Sequence, residues 1–506
     1  MKPQTMFRHV ILAMLPLGFL GVMVFAPLWA MLMYDDSAWL WREVLSDPYY
    51  RWRIEWTAFQ AACTVVLTTL LGVPTAWALA RLDFTGRTSI LRALMLPFVM
   101  PTLVAGMGVL ALFGDQGILW RGWADTPYLL FYGNVFFNLP VMIRAAHHGL
   151  LAVPANRLAA AQVLGANEWQ RFWQVEFWVM KNHLAGGACL VFLYCFSGFG
   201  LALLLGGQRH ATVEVEIYQL IAYELDMPRA AVLVWCVLAI TALVGAMYAW
   251  LSQRHHSAAI QIKQPEPPQG AQYFILWTSW AILALFCALP LLAVAFQAAQ
   301  SWQAWSVWLE QETWQALFNT LKFTALSLIL AMILGLNHAA LAKQVAWIRG
   351  FTFLPFMVSP VCLAFGVLLL YPQWSSSLML LIALYALLAY PFVTKDILAT
   401  WDNLPTNYLN AARVLGASRF QAACFVILPL LKSALRRGLT LAAATGIGEF
   451  AATLFLSRPE WTTLTTLIYQ KLGRVGMENH QQAMVLSFGL MLLASGIFLL
   501  LDSKDS

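Results

Sequence analysis

The chain has 506 residues, of which 61% are apolar and only 11% are charged, and its mean hydropathy is +0.69. Soluble globular proteins are closer to half apolar and a quarter charged, so this composition indicates a membrane protein. The net charge of +6 is a poor argument for nucleic-acid binding, because no basic run interleaves with aromatic residues outside the apolar segments.

A helix needs about 20 apolar residues to cross a bilayer. By that measure the sequence predicts an all-α polytopic membrane protein with twelve spans. Spans 1 to 6 are predicted at 9–33, 57–80, 89–113, 127–148, 186–206 and 229–251. Spans 7 to 12 are predicted at 273–297, 314–341, 350–371, 377–399, 437–457 and 483–501. The first apolar run is too long for a cleaved signal peptide, and no convincing small-residue cleavage site follows it.

The positions of the basic residues predict the orientation of the chain. With a cytoplasmic N-terminus, about two thirds of the 30 Lys and Arg residues fall in the cytoplasmic loops. Under the positive-inside rule this bias predicts that both termini are cytoplasmic. The opposite orientation is the alternative.

The sequence also contains an internal repeat. Gly165 and Gly416 are 251 residues apart, and the same spacing separates Pro140 from Pro391. A register held this far predicts two homologous halves of six spans each. The predicted domains are a first permease half at 1–251, a cytoplasmic linker at 252–272 and a second permease half at 273–506. Because the linker is polar and rich in proline, we expect it only to tether the halves.

One polar phrase with a central glycine occurs in both halves, between spans 4 and 5 and between spans 10 and 11. The first hinge loop, residues 157–178, reads RLAAAQVLGANEWQRFWQVEFW, and the second hinge loop, residues 408–429, reads YLNAARVLGASRFQAACFVILP. Each starts with an alanine-rich helical turn, breaks at a glycine, which tolerates positive φ, and resumes with aromatic and polar residues. Two short angled helices predict a docking element for a partner protein. The alternative is an amphipathic helix lying at the lipid headgroups.

Both hinge loops resemble the EAA loop of ABC-importer permeases, the element that inserts into the ATPase subunits. The glycine stands at the family's position in both copies, and the trailing Leu-Pro is present in the second. The first copy departs from the pattern at Ala159, where an acid is usual, and at Phe177-Trp178; the second has Asn410 at the acid position. The resemblance implies that the docking residues are Ala160, Ala161, Gly165, Ala166 and Phe172, and Ala411, Ala412, Gly416, Ala417 and Phe420.

The resemblance implies a transport subunit rather than an enzyme. The chain has no GxxxxGK[ST] phosphate-binding loop, so we expect it to bind no cofactor itself and ATP to bind to a partner chain. The seven cysteines are scattered without metal-ligand spacing, so no metal site is predicted. The implied partners are two copies of an ABC ATPase, a periplasmic substrate-binding protein and the lipids of a bacterial inner membrane, with no nucleic acid. Closure of the ATPase dimer would then rock the halves between inward-facing and outward-facing states.

Two segments bear on the substrate. VFFNLPVMIR from Val135 and LLLGGQRHATVEVEIYQLIAYELDMPRAAVL from Leu203 resemble thiamine permeases, with ferric-iron permeases next. The resemblance implies uptake of thiamine or its phosphate esters, and ferric iron is the alternative. A secondary transporter is a distant alternative, because it would carry several ionisable residues at membrane depth for ion coupling.

One acid is predicted deep in the membrane. Glu449 lies in span 11, and its counterpart in the first half is Gly198. An intramembrane carboxylate is costly unless it faces water or a partner, so Glu449, Gly448, Ser197 and Gly198 are predicted to line the path of a cationic substrate. The alternative is that Glu449 makes a hydrogen bond between packed helices.

Overall fold

The computed structural model describes residues 15–34, 38–123, 126–252, 263–345, 347–352, 354–405, 407–456 and 458–502. Over these residues the chain is helical and contains no strand beyond an isolated bridge between Leu82 and Glu266. The predicted all-α polytopic class is therefore confirmed.

Nine helices of the described chain are long and apolar enough to cross a membrane. They are Leu15–Leu32, Pro48–Arg81, Pro127–Leu151, Glu168–Phe196, Met227–Leu251, Gln272–Gln300, Gln311–Gln344, Leu378–Asp402 and Met477–Leu500. These helices correspond to predicted spans 1, 2, 4, 5, 6, 7, 8, 10 and 12. Several are longer than predicted, because their charged end turns lower the local hydropathy without ending the helix.

The other three predicted spans are broken helices. Predicted span 5, at 186–206, also contains a break, because its helix Glu168–Phe196 ends before Ser197 and a separate helix, Gly200–Leu205, follows. Span 3 consists of Arg87–Val99 and Thr102–Phe113, which meet at 99°. Span 9 consists of Ile348–Phe351, Leu354–Met357 and Pro360–Leu370, and span 11 of Lys432–Ile447 and Ala451–Leu456. In spans 3 and 9 a proline, Pro101 or Pro360, stands at the start of the last segment, where its ring and missing N–H oppose a continuous helix.

Two compact units make up the chain, and each contains the first span of the other sequence half. One unit is Ser37–Ala304, and the other is Met1–Asp36 with Trp305–Ser506. In the first unit, a Cβ added to Gly108 of span 3 would lie 3.0 Å from Cβ of Pro290 in span 7. In the second unit, a Cβ on Gly366 of span 9 would lie 2.9 Å from Cβ of Pro27 in span 1. The units therefore differ from the sequence halves, whose boundaries stay a prediction.

Short helices join the spans on the side away from the hinge loops, among them Ala38–Ser46, Val213–Gln219, Trp302–Leu309 and Leu464–Gly473. A buried ion pair holds the second of these against span 2: Arg53 Nε lies 3.1 Å from Glu216 Oε2. The Tyr49 hydroxyl donates to the same carboxylate oxygen at 2.8 Å. Burial raises the pKa of Glu216, and the hydrogen bonds from Tyr49 and Arg53 oppose that shift.

The described part of the predicted linker contacts the first unit. Residues 253–262 lie outside the described chain. Further on, the N–H of Asp83 donates to the carbonyl of Glu266 at 2.8 Å, and the N–H of Glu266 donates to the carbonyl of Arg81 at 3.0 Å. The expectation that the linker only tethers the halves is therefore wrong for its final residues, because a free tether makes no paired backbone contact with a span.

Candidate docking loops and substrate path

The first hinge loop is two short helices joined at Gly165. The first helix, Ala155–Val163, ends before Gly165, which has φ of +82°. The second begins at Glu168, and its start is stabilised by a capping box. In this box Asn167 Oδ1 accepts the N–H of Gln170 at 2.8 Å, and Gln170 Oε1 accepts the N–H of Asn167 at 2.9 Å.

The second hinge loop is built in the same way. Its first helix, Asn407–Val414, is followed by Gly416 with φ of +80°. Ser418 and Gln421 then exchange side-chain and backbone hydrogen bonds at 3.2 and 2.8 Å, as Asn167 and Gln170 do. The helix–glycine–helix shape inferred from the repeated phrase is therefore present in both halves.

The predicted docking residues divide into those that build the turn and those that are exposed. The N–H of Ala166 donates to the carbonyl of Ala161 at 3.0 Å, and Ala417 donates to Ala412 at 3.0 Å. These are the closing bonds of a Schellman turn, which requires the left-handed glycine between them. Ala160 and Ala411 are exposed, whereas Ala412 is buried and cannot itself contact a partner.

Two of the predicted docking residues are aromatic, Phe172 and Phe420. Phe172 is half-buried and packs against the apolar core of the first unit. The side chain of Phe420 lies outside the described residues. Phe172 is therefore better placed to fix the loop to the membrane helices than to meet a partner.

An exposed apolar pair precedes the glycine in each hinge loop. Val163 and Leu164 are 87% and 85% exposed, and Val414 and Leu415 are 87% and 86% exposed. Exposed apolar residues grouped at one place mark interaction sites, and here the pair recurs at the same point of both halves. These four residues are not among the predicted docking positions, although the shared letters Val-Leu-Gly carried the signal.

Glu449 lies in the break between the two helices of span 11. Its residue is 8% exposed, and its carboxylate Oε1 accepts the N–H of Ala452 at 2.9 Å. The Thr465 hydroxyl donates to the Glu449 backbone carbonyl at 3.0 Å. The described bond of the Glu449 side chain is therefore local, to the first turn of the helix Ala451–Leu456. The alternative to a role in the path was a hydrogen bond between packed helices, and this bond is not of that kind.

The same break occurs in the first half. Ser197 and Gly198 separate Phe177–Phe196 from Gly200–Leu205, as Gly448 and Glu449 separate the helices of span 11. An aromatic pair follows each break: the ring centroids are 5.5 Å apart for Phe199 and Tyr218, and 5.2 Å apart for Phe450 and Tyr469. Ser197 and Gly198 belong to one unit and Gly448 and Glu449 to the other, so a path that they share stays a prediction.

The chain belongs to a family of membrane transport proteins. The profile of the binding-protein-dependent transport system inner membrane component matches residues 68–257 and 327–501, which is more than half of the chain and one match in each half. The protein is therefore a multi-pass inner-membrane permease with two fused halves. Permeases of this family are transport subunits rather than enzymes, and they work with a substrate-binding protein and an ATPase.

Two thiamine permeases are similar to nearly the whole chain, and a sulfate permease is similar to less than half of it. The thiamine transport system permease protein ThiP of Haemophilus influenzae is 26% identical, over 90% of this chain and 89% of its own length. ThiP of Escherichia coli is 27% identical, over 94% and 92% of the two chains. The sulfate transport system permease protein CysW of Synechocystis is 28% identical over 43% of this chain and 82% of its own, as expected for a relative about half as long.

Proposed function

We propose that this chain is the membrane-spanning subunit of an ATP-driven importer of thiamine or its phosphate esters. The observation that carries the substrate is the similarity to thiamine permeases over about nine tenths of both chains. The orientation that fits this role places both termini and both hinge loops in the cytoplasm, as the distribution of Lys and Arg predicts.

Each hinge loop docks onto one copy of a separate ATPase subunit, which binds the ATP. The support is the left-handed glycine, the capped second helix and the exposed apolar pair, all of which recur in both loops. An exposed Val-Leu pair on a helix end fits an apolar groove of a partner. Two equivalent loops match a partner that is itself two-fold, so the proposed assembly contains two ATPase copies and one substrate-binding protein.

The first hinge loop is continuous with the helix that reaches the predicted path. The helix Glu168–Phe196 runs without a break from the capping box to Ser197. A displacement of the hinge loop therefore moves the far end of this helix, where Gly198 interrupts it. Closure of the ATPase dimer thus changes the geometry at the predicted path and alternates access to the two sides of the membrane.

Aspartate substitutions at the exposed leucines test the docking role. We expect Leu164→Asp and Leu415→Asp each to reduce co-purification of the ATPase, because a charge enters the proposed apolar contact. Leu309→Asp is the matched control, since Leu309 is 87% exposed and is predicted on the opposite side of the membrane. Equal ATPase recovery from all three variants and the unaltered permease contradicts the docking role.

The substrate is tested separately with the reconstituted transporter. Proteoliposomes that contain permease, ATPase and ATP are supplied with the binding protein encoded beside this chain and with labelled thiamine or labelled ferric ion. We expect ATP-dependent uptake of thiamine and a binding protein that retains thiamine on purification. Uptake of ferric ion without thiamine uptake overturns the thiamine assignment and leaves the permease function intact.

A further inference from the structure

The described end of the linker is paired with the last residues of span 2. The N–H of Glu266 donates to the carbonyl of Arg81, and the carbonyl of Glu266 accepts the N–H of Asp83, so both backbone groups of Glu266 are used. The sequence explains why this residue makes the contact. Glu266 is preceded by Pro265 and followed by two prolines, and proline has no N–H. Glu266 is thus the single backbone donor in the run Pro-Glu-Pro-Pro.

Arg81 makes two kinds of contact. Its backbone carbonyl accepts the bond from the linker, and its side chain holds the first hinge loop. Arg81 Nε lies 2.7 Å from Glu176 Oε1, and both side chains are 6% exposed. Trp77 Nε1 donates to the other carboxylate oxygen at 3.0 Å, and Arg81 Nη2 donates to the carbonyl of Leu150 at 3.0 Å. Arg81 therefore joins the linker, span 2, span 4 and the second helix of the hinge loop.

A further contact connects the end of the linker directly to the first hinge loop. The side-chain amide of Gln272, the first residue of span 7, donates to the carboxylate of Glu168. Glu168 is the first residue of the second helix of the loop. The linker end thus contacts the loop on the helix that follows Gly165.

The second half lacks the residues for this arrangement. The corresponding helices, Pro48–Arg81 and Gln311–Gln344, are both 34 residues long. Gly72 of the first packs against span 4, and Gly335, at the same position of the second, packs against span 10. Their ends match, so Gln344 occupies the place of Arg81, and the repeat places Ile427 at the position of Glu176.

In the second half, two basic residues near the end of span 8 make a different contact. Lys343 and Arg349 both bind Asp402 at the end of span 10, at 2.6 and 2.9 Å. These side chains are between 36% and 44% exposed, in contrast to the buried pair of Arg81 and Glu176. These pairs join span 8 to span 10 in the second half, whereas in the first half Arg81 joins span 2 to span 4 and also to the hinge loop.

We propose that the linker segment 263–272 and the Arg81–Glu176 pair form a clamp that positions the first hinge loop, so that the two docking loops of the transporter are mechanically unequal. The proposal rests on the docking role proposed above. Arg81, Glu176 and Glu266 are positioning residues: they hold the loop against span 2 and do not contact substrate. Because one linker serves two halves, fusion of the halves itself creates the inequality.

Hydrogen exchange in the complete transporter, held in lipid nanodiscs, tests the clamp. Glu266→Pro removes the N–H that bonds to Arg81, and Glu266→Ala, the matched control, keeps both backbone bonds. We expect peptides from 157–178 to exchange about fivefold faster in the Pro variant, the equilibrium effect of one lost hydrogen bond. Exchange in 408–429 should stay unchanged, and the Ala variant should match the unaltered protein. Unchanged exchange in 157–178, or equal acceleration in both loops, overturns the proposal.

A second measurement connects the clamp to transport. The ratio of substrate imported to ATP hydrolysed should fall in Arg81→Met and be partly restored in Arg81→Lys, which keeps the charge. Gln344→Met, the counterpart substitution, should leave the ratio unaltered. If the Arg81 and Gln344 variants behave alike while the ATPase remains bound, the clamp is wrong and the docking role stands. If the unaltered permease binds no ATPase, the docking role is wrong, and the exchange contrast still decides whether the clamp exists.

Discussion

The hydroxyl of Thr320 accepts a hydrogen bond from the backbone N–H of Leu464 at 2.9 Å. In the other half Thr57 accepts the N–H of Val213, also at 2.9 Å. Leu464 and Val213 are the first residues of equivalent short helices, and a first-turn N–H has no partner within its own helix. The repeat thus preserves a specific hydrogen bond. It links span 2 to the short helix that follows span 5, and span 8 to the short helix that follows span 11.

Substitution of Gly416 tests whether the left-handed turn is needed for coupling. Among the described atoms, none lies within 4 Å of a Cβ added at this position, so in the free permease Gly416→Val acts chiefly through the strain of its left-handed backbone. A β-branched residue in the left-handed region costs about 1–2 kcal/mol, whereas asparagine tolerates that region. We expect Gly416→Val and Gly165→Val to insert normally and to lose ATPase co-purification and uptake, and Gly416→Asn to retain both. Wild-type uptake by the valine variant excludes the docking assignment.

Glu449→Gln separates a path residue from a helix-stabilising one. The glutamine carbonyl can still accept the N–H of Ala452, so the hydrogen bond is kept and only the charge is lost. If Glu449 lines the path, the Gln variant takes up a cationic substrate more slowly at unchanged thermal stability. Glu449→Ala leaves a buried N–H unpaired and should lose stability by about 1 kcal/mol as well. Normal uptake by the Gln variant at every substrate concentration, with an unstable Ala variant, assigns the carboxylate to packing.

The buried pair of Arg53 and Glu216 should dominate the stability of its end of the first unit. Removing one partner leaves a buried charge uncompensated, at a cost of about 3–5 kcal/mol. Arg53→Met should therefore lower the thermal unfolding temperature in detergent clearly. Arg51→Met is the control, because the Arg51–Glu55 pair is 3.8 Å long and exposed, and such pairs contribute at most about 1 kcal/mol. Equal shifts for both variants show that the buried pair has no special role.

Cutting the chain near Pro268 tests whether the exchanged spans hold the two pieces together. The piece before the cut supplies span 1 to the unit of residues 305–506, and the piece after it supplies span 7 to the unit of residues 37–304. We expect the co-expressed pieces to associate and to restore uptake. Deleting residues 1–34 should weaken recovery of the complex on affinity purification. Association that is independent of this deletion argues against a contribution from span 1.

Sequence reasoning identified what depends on local composition and repetition. Apolar length identified the nine long spans, although it placed span 5 at 186–206 where the long helix is Glu168–Phe196. The doubled Val-Leu-Gly phrase identified both hinge loops. Apolar length also placed the start of span 2 too late. Arg51 and Arg53 reduce the hydropathy of its first turns, yet the helix includes them, and the buried charge of Arg53 is paired with Glu216. Hydropathy counts residues and ignores direction, so the breaks in spans 3, 5, 9 and 11 were missed, although Pro101 and Pro360 signalled two of them.

Contacts between distant segments could not be predicted from one sequence. The linker composition is typical of a tether, and nothing local shows that Glu266 pairs with Arg81. The bond from Ala452 to Glu449 depends on a break in span 11 that apolar length does not reveal. Which half each first span packs against is likewise absent from local pattern, because both spans are simply apolar.

The exchange of first spans determines the order in which this protein is completed during synthesis. Gly108, against which span 7 packs, is made before span 7. The unit of residues 37–304 can therefore complete its packing soon after residue 304 leaves the ribosome. Span 1 is made hundreds of residues before its partners Gly366 and Tyr371, whose hydroxyl donates to the Val22 carbonyl at 3.0 Å. During that interval the surface of span 1 that later packs against these partners faces lipid. Leu15–Leu32 contains no charged residue, which suits a helix that inserts and waits before it packs.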